Sequence, residues 1–174
     1  MTSEPPALDV DRILATLERH HVEFVLVGGV AAIAHGARRP TADVDCLARR
    51  TAENLDRLAA ALHELNARLR VHGLPDDEAA LLPTRLDRDT LARMEISTWR
   101  TDAGDFDVLA DIPARNGRRV RYDELLSRAE VQDLHGIAVY VAALSDVIAS
   151  KEWANRPKDR AALPELRALH SDSD

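Results

Sequence analysis

At 174 residues the chain suits one compact unit, and its 45% apolar and 30% charged content is that of a soluble globular protein. A domain of this size buries about 70% of its unfolded surface, so folding needs neither metal nor disulfides, and the single cysteine, Cys46, excludes an internal disulfide framework or a thiolate zinc cluster. The net charge of −7 argues against a broadly basic nucleic-acid-coating surface while leaving room for a local basic cleft, and 3% aromatic content leaves few rings to stack on bases.

In chain order, LDVDRILATLERHH (8–21) has helical periodicity, with Leu8, Val10, Ile13, Leu14 and Leu17 available for one face. VEFVLVG (22–28) reads as a short buried strand closed by glycine, GVAAIAHGA (29–37) as a short helix and ADVDCLA (42–48) as a second strand. TAENLDRLAAALHELNARLR (51–70) is the clearest helix, with Thr51 as N-cap. Residues 71–92, broken by Pro75 and Pro83, read as a loop with one or two short elements.

EISTWRT (95–101) and GDFDVLADI (104–112) form an expected hairpin turning at Asp102-Ala103-Gly104. RNGRRVR (115–121) is a basic loop, YDELLSRAE (122–130) a helix and IAVYVAAL (137–144) a strand. SDVIASKEWA (145–154) is a helix stopped before Arg156-Pro157, and KDRAALPELRAL (158–169) another, interrupted or begun at Pro164; the tail 171–174 is expected to fray. The mixture implies an α/β or α+β fold over residues 1–174, with a core at about 22–144 and a C-terminal helical segment at about 145–170. The start lacks a secretory n-region and h-region, and no apolar run approaches membrane-spanning length, so a cytoplasmic protein is expected.

Three weak signals acquire weight together. Asp43 and Asp45, two apart on a strand, project from the same face, while Val44 and Cys46 point into the core. Alone, such a pair is most often a solvated strand face. Gly28-Gly29 lacks both the GK[ST] of a P-loop and the spaced glycines of a dinucleotide fingerprint, yet permits close approach of phosphate to backbone N–H groups. Asp107 lies between Phe106 and Val108, so it faces away from the core together with Asp105; its apolar flanks favour it over Asp105 as a third carboxylate. If the two strands are neighbours, three carboxylates converge, a donor set that suits Mg²⁺.

VGG…RRPTADVDCL, then DFDVL, then LSDVIASKEWANRPKDRAAL together resemble a minimal nucleotidyltransferase of the DNA polymerase β superfamily, with the AbiEii/MenT-type toxins as the most similar group. The resemblance covers about residues 22–169. It implies a small mixed sheet flanked by helices, NTP as substrate, Mg²⁺ or Mn²⁺ as cofactor, a tRNA 3′ end as acceptor and an antitoxin protein as partner. By resemblance, Asp43 and Asp45 hold metal, Asp107 ligates the catalytic metal or takes the acceptor hydroxyl proton, Gly28 and Gly29 position the triphosphate, and Arg39 (or Arg38) and Lys151 hold its phosphates. Gly29 stands where the family often has serine. Thr41 either caps the helix-to-strand turn or touches phosphate, and its phosphorylation would block the triphosphate.

Other residues have plainer readings. Only two lysines, Lys151 and Lys158, occur among 23 basic residues, and Lys151 follows the apolar Val147-Ile148 closely enough to lie near the buried stripe of its helix. Asp159 reads as a helix cap or as a partner that orients Lys158. Cys46 reads as a core residue and His35 as a helix-surface or core histidine. Two rival functions remain open: a small-molecule transferase resembling aminoglycoside or lincosamide nucleotidyltransferases, and an idle fold acting as a binding module. Four arginines in RNGRRVR favour RNA, whereas the net charge leans the other way.

Overall fold

The computed structural model describes residues 6–172. Among them the elements run α1 (Val10–Arg19), β1 (Phe24–Val27), α2 (Gly28–Ala34), β2 (Asp43–Ala48), α3 (Ala52–Glu64), β3 (Arg68–Leu69), α4 (Asp76–Ala79), α5 (Arg88–Arg93), β4 (Ile96–Thr101) and β5 (Gly104–Leu109). Then follow β6 (Asp111–Pro113), β7 (Arg119–Arg121), α6 (Tyr122–Leu126), β8 (Glu130–Leu134), β9 (Ile137–Val141), α7 (Leu144–Ala154) and α8 (Pro157–Ser171). The main sheet has the order β3-β4-β5-β2-β1-β9-β8, and β6 and β7 form a separate ribbon. β1 is antiparallel to β2, which is parallel to β5; β4 and β5 make the expected hairpin.

The core is built mainly from aliphatic side chains, with Trp99 and Phe106 as its largest rings. Helix α1 starts at Asp9, whose carboxylate accepts from Arg12 N at 2.9 Å, and buries Ile13, Leu14 and Leu17. Asn54 is fully buried in α3; its amide bridges Glu23 and the Arg49 carbonyl, pinning the helix start to the strands. Cys46 is buried in β2, as its apolar neighbours predict, and burial pushes its thiol pKa well up.

Several expected boundaries move. The helix predicted over 51–70 ends at Glu64, because Asn66 adopts the left-handed region (φ 52°) and Arg68–Leu69 then pairs with β4. The helix predicted to reach residue 130 stops at Leu126, and Glu130–Leu134 forms a strand absent from the sequence reading. It pairs with β9 through a turn at His135-Gly136, both at positive φ. The strand expected over 104–112 breaks after Leu109, and the basic segment 115–121 holds a turn and then β7. The final helix runs through Pro164 to Ser171; residues 173–174 of the expected frayed tail lie outside the described residues. No helix among the described residues is long and apolar enough to cross a membrane.

Candidate active site

Period-two alternation puts Asp43 and Asp45 on one face of β2, and the parallel pairing sets Asp43 beside Asp105 and Asp45 beside Asp107. One oxygen each from Asp43, Asp45 and Asp107 lie within 4.8 Å of one another. Asp105 is excluded from this group by its own partners: Arg70 Nη1 at 2.9 Å and Arg100 Nε at 3.0 Å take its carboxylate. Of the pair, it is Asp107, the one with apolar flanks, that the structure brings together with Asp43 and Asp45.

The glycines make room. Gly28 (φ +66°) ends β1 against Asp45, and a Cβ there would overlap the Asp45 carboxylate. A Cβ on Gly29 would overlap the Thr41 hydroxyl. That hydroxyl lies 3.1 Å from the Asp43 carbonyl oxygen and 3.3 Å from its Oδ1. Thr41 thus closes the turn into β2 and steadies Asp43, in keeping with its capping reading.

The triad forms one wall of a cleft of about 400 Å³, whose other lining residues include Gly28, Gly29, Arg39, Lys151, Arg156 and Lys158. Arg39 lines it and donates to the Ala161 carbonyl at 3.1 Å; Arg38 contributes only a backbone N–H to Glu165. Asp159 is fully buried at the foot of α8 and accepts from Arg156 Nε at 2.7 Å, Arg156 N at 3.2 Å and Lys151 Nζ at 3.5 Å. It is a cap, as expected, and also the anchor of two cations in the cleft; its partner is Lys151 rather than Lys158. Burial pushes the Asp159 carboxyl up, but Arg156 and then Lys151 outweigh that and hold it below the usual range. Sequence reasoning missed Arg156, although it stands beside the helix-starting Pro157.

The basic segment 115–121 is largely self-neutralised: Arg118 pairs with Glu124, Arg119 with Asp111 and Arg115 with Glu152. His35 Nε2–H donates to the Ala142 carbonyl, 2.8 Å away.

A half-buried cluster of three carboxylates costs free energy unless a cation relieves it. Burial, then Asp43 and Asp107, raises the Asp45 pKa to about 7 against the lysines' pull. Burial and Asp43 likewise raise Asp107 to about 6. Asp107 Oδ1 is moreover buried without a hydrogen-bond partner. An orphaned oxygen among all-oxygen donors fits a hard divalent ion.

The sign of the pH effect follows. Carboxyls whose folded pKa is raised stabilise the fold fully below their unfolded pKa of about 3.9, and lose that contribution as pH rises through the folded values. In chelator, the wild type should lose stability relative to Asp45→Asn between about pH 4 and 7, as read by urea titration. Parallel pH profiles for the two proteins would refute the repulsion.

The lincosamide antibiotic adenylyltransferase LnuA, solved with lincomycin bound, is similar at a TM-score of 0.60 and 12% identity, over 94% of this chain and 99% of that one. The antibiotic-resistance factor ANT(2″)-Ia is similar at 0.57 and 13%, over 95% of this chain and 82% of its own. These likenesses show the polymerase β-like nucleotidyltransferase fold that the motif resemblance implied. No curated protein matches the sequence. The family model described as the nucleotidyl transferase AbiEii toxin of type IV toxin–antitoxin systems matches residues 12–164. The chain belongs to the AbiEii nucleotidyl transferase toxin family.

Proposed function

We propose that the protein transfers a nucleoside monophosphate from an NTP to the 3′ hydroxyl of tRNA, as the cytoplasmic toxin of a toxin–antitoxin pair, with a cognate antitoxin as partner. The observation that carries this reading is the three-carboxylate wall, with its orphaned Asp107 oxygen, facing Lys151, Arg156 and Lys158 across one cleft. Asp43, Asp45 and Asp107 would hold Mg²⁺ or Mn²⁺. Bound there, the ion supplies charge neutralisation between the carboxylates and the phosphates. Lys151, Arg156 and Lys158 take the β- and γ-phosphates, and Arg39 flanks them. Gly28 and Gly29 let the triphosphate approach the backbone without a side chain in the way. Asp107, the carboxylate with a free oxygen and a raised pKa, accepts the proton of the acceptor hydroxyl. The acceptor oxygen bonds to the α-phosphorus, the bond to the β-phosphate oxygen breaks, and pyrophosphate leaves.

A small-molecule acceptor is the second reading, favoured by the fold shared with LnuA and ANT(2″)-Ia and by the net charge of −7. An idle binding module is disfavoured by the intact carboxylates. Purified protein with each labelled NTP, Mg²⁺, and either total tRNA or an aminoglycoside and lincosamide panel separates these readings. Label is expected in tRNA and to be lost with chelator. Label in an antibiotic and none in tRNA would replace the first reading with the second.

A further inference from the structure

Trp153 is 53% exposed, whereas the chain's other tryptophan, Trp99, is 2% exposed. It stands two residues after the cleft-lining Lys151 on α7, so at about 100° per residue it lies about 200° round the helix, on the face away from the cleft. Its ring rests on the turn 114–118 that joins β6 to β7. A Cβ at Gly117 (φ +82°) would overlap the ring carbons, so glycine is what lets indole and backbone meet. One side of the ring is seated on the turn, and the rest is left to water.

The surroundings are cationic. Arg115 and Arg167 share the single carboxylate of Glu152, each at 2.7 Å, and Arg160 finds only oxygens of Asn155. Arg115 is 76% exposed and Arg118 is 56% exposed. The exposed single-contact pair of Arg115 is weak, whereas Arg118 holds Glu124 through two nitrogens, so an incoming phosphate exchanges more readily at Arg115. The turn follows β6, the short strand that comes next in the chain after β5, which bears Asp107.

We infer that Trp153 is a stacking station for an unpaired nucleotide of the acceptor strand, with Arg115 and Arg118 taking the adjoining phosphates. The inference rests on the nucleic-acid acceptor proposed above. Every base presents a π-face, and a ring already immobilised on Gly117 loses little freedom when a base stacks on it. A base held on the outer face of α7 anchors the strand one helix away from the cleft that holds Asp107. A cationic aminoglycoside would meet like charge here.

The test titrates the full-length protein with a short single-stranded oligoribonucleotide and reads tryptophan fluorescence, with Trp153→Phe and Trp153→Ala alongside. The wild type should be quenched and Trp153→Phe should not, while still binding. Trp153→Ala should raise both the oligonucleotide Kd and the RNA KM by roughly five- to a hundredfold, without changing the NTP KM or the salt slope. Transfer to RNA with no quenching, and an unchanged RNA KM in Trp153→Ala, would overturn the stacking station and leave the proposed activity standing. Transfer to an aminoglycoside, with neither binding nor modification of RNA, would overturn both.

Discussion

Asp45→Asn should leave the protein folded, stabilise it in the absence of metal at neutral pH, and abolish nucleotidyl transfer. The two effects have one origin. Asp45 sits beside Asp107 across the β2–β5 pairing, with Asp43 two residues away on the same face, and burial strengthens their mutual repulsion. Asparagine keeps the shape under Gly28 but removes one of the three charges. Apo stability therefore rises while the affinity for a divalent ion falls. Metal-assisted charge stabilisation is worth about 4 kcal/mol or more, about a thousandfold in rate. Calorimetry with and without Mg²⁺ completes the argument: Mg²⁺ should raise the wild-type Tm by mass action and move the variant much less. Transfer at more than a tenth of the wild-type rate, or a variant less stable than wild type in chelator, would refute the metal role of Asp45.

The parts of this site that were legible in the sequence are those governed by local geometry. Period two gave Asp43 and Asp45 a common face and separated Asp107 from its apolar neighbours, and the glycine pair after an apolar run marked the strand-to-helix turn. The parallel pairing of β2 with β5 is a tertiary matter, since more than fifty residues separate the partners, and only the structure supplies the register that sets Asp45 beside Asp107. Strand β8 escaped notice because EVQDL is polar and lies at the sheet edge, where burial imposes no apolar alternation. The overlong helix at 51–70 has a similar cause: its apolar period continues past Leu65, and nothing local shows that Asn66 turns left-handed. Asp159 was read as a cap, but its full burial and its hold on two cations depend on how α8 returns over α7.

The same geometry explains the cleft's charge balance. The carboxylate wall belongs to the sheet, fixed by backbone pairing on both sides of β2. Lys151, Arg156 and Lys158 belong to α7 and α8 and the joint between them, which touch the sheet largely through side chains. Repulsion within each wall is offset by attraction across the cleft, and Lys158 and Lys151 already lower the Asp45 pKa against burial. On the function proposed above, a triphosphate with its divalent ion would enter between opposite charges. What fixes the cationic wall is Asp159, because no other carboxylate reaches both Lys151 and Arg156 among the described residues.

Asp159→Ala should accordingly impair both fold and function. It removes a fully buried carboxylate that caps α8 and accepts charge-assisted bonds from Arg156 and Lys151. The expected loss is about 2–3 kcal/mol of stability, less than for a sealed ion pair, because Arg156 is 59% exposed and stays solvated. Asp159 has a lowered folded pKa, so its contribution is present above the unfolded carboxyl pKa and lost as pH falls through the folded value. The wild-type advantage over Asp159→Ala should thus shrink on acidification. On the phosphate-holding role proposed for Lys151, a freed Lys151 would lose its aim into the cleft. Lys151→Ala alone should cost about 1.5–3 kcal/mol, roughly ten- to a hundredfold in kcat/KM for NTP, and Lys151→Arg should rescue it poorly, since a planar fork does not replace a compact ammonium. If Asp159 acts through Lys151, the double variant should lose clearly less activity than the product of the single losses. Strict additivity, with the NTP KM of Asp159→Ala unchanged at a temperature where it is folded, would confine Asp159 to the architecture of α8.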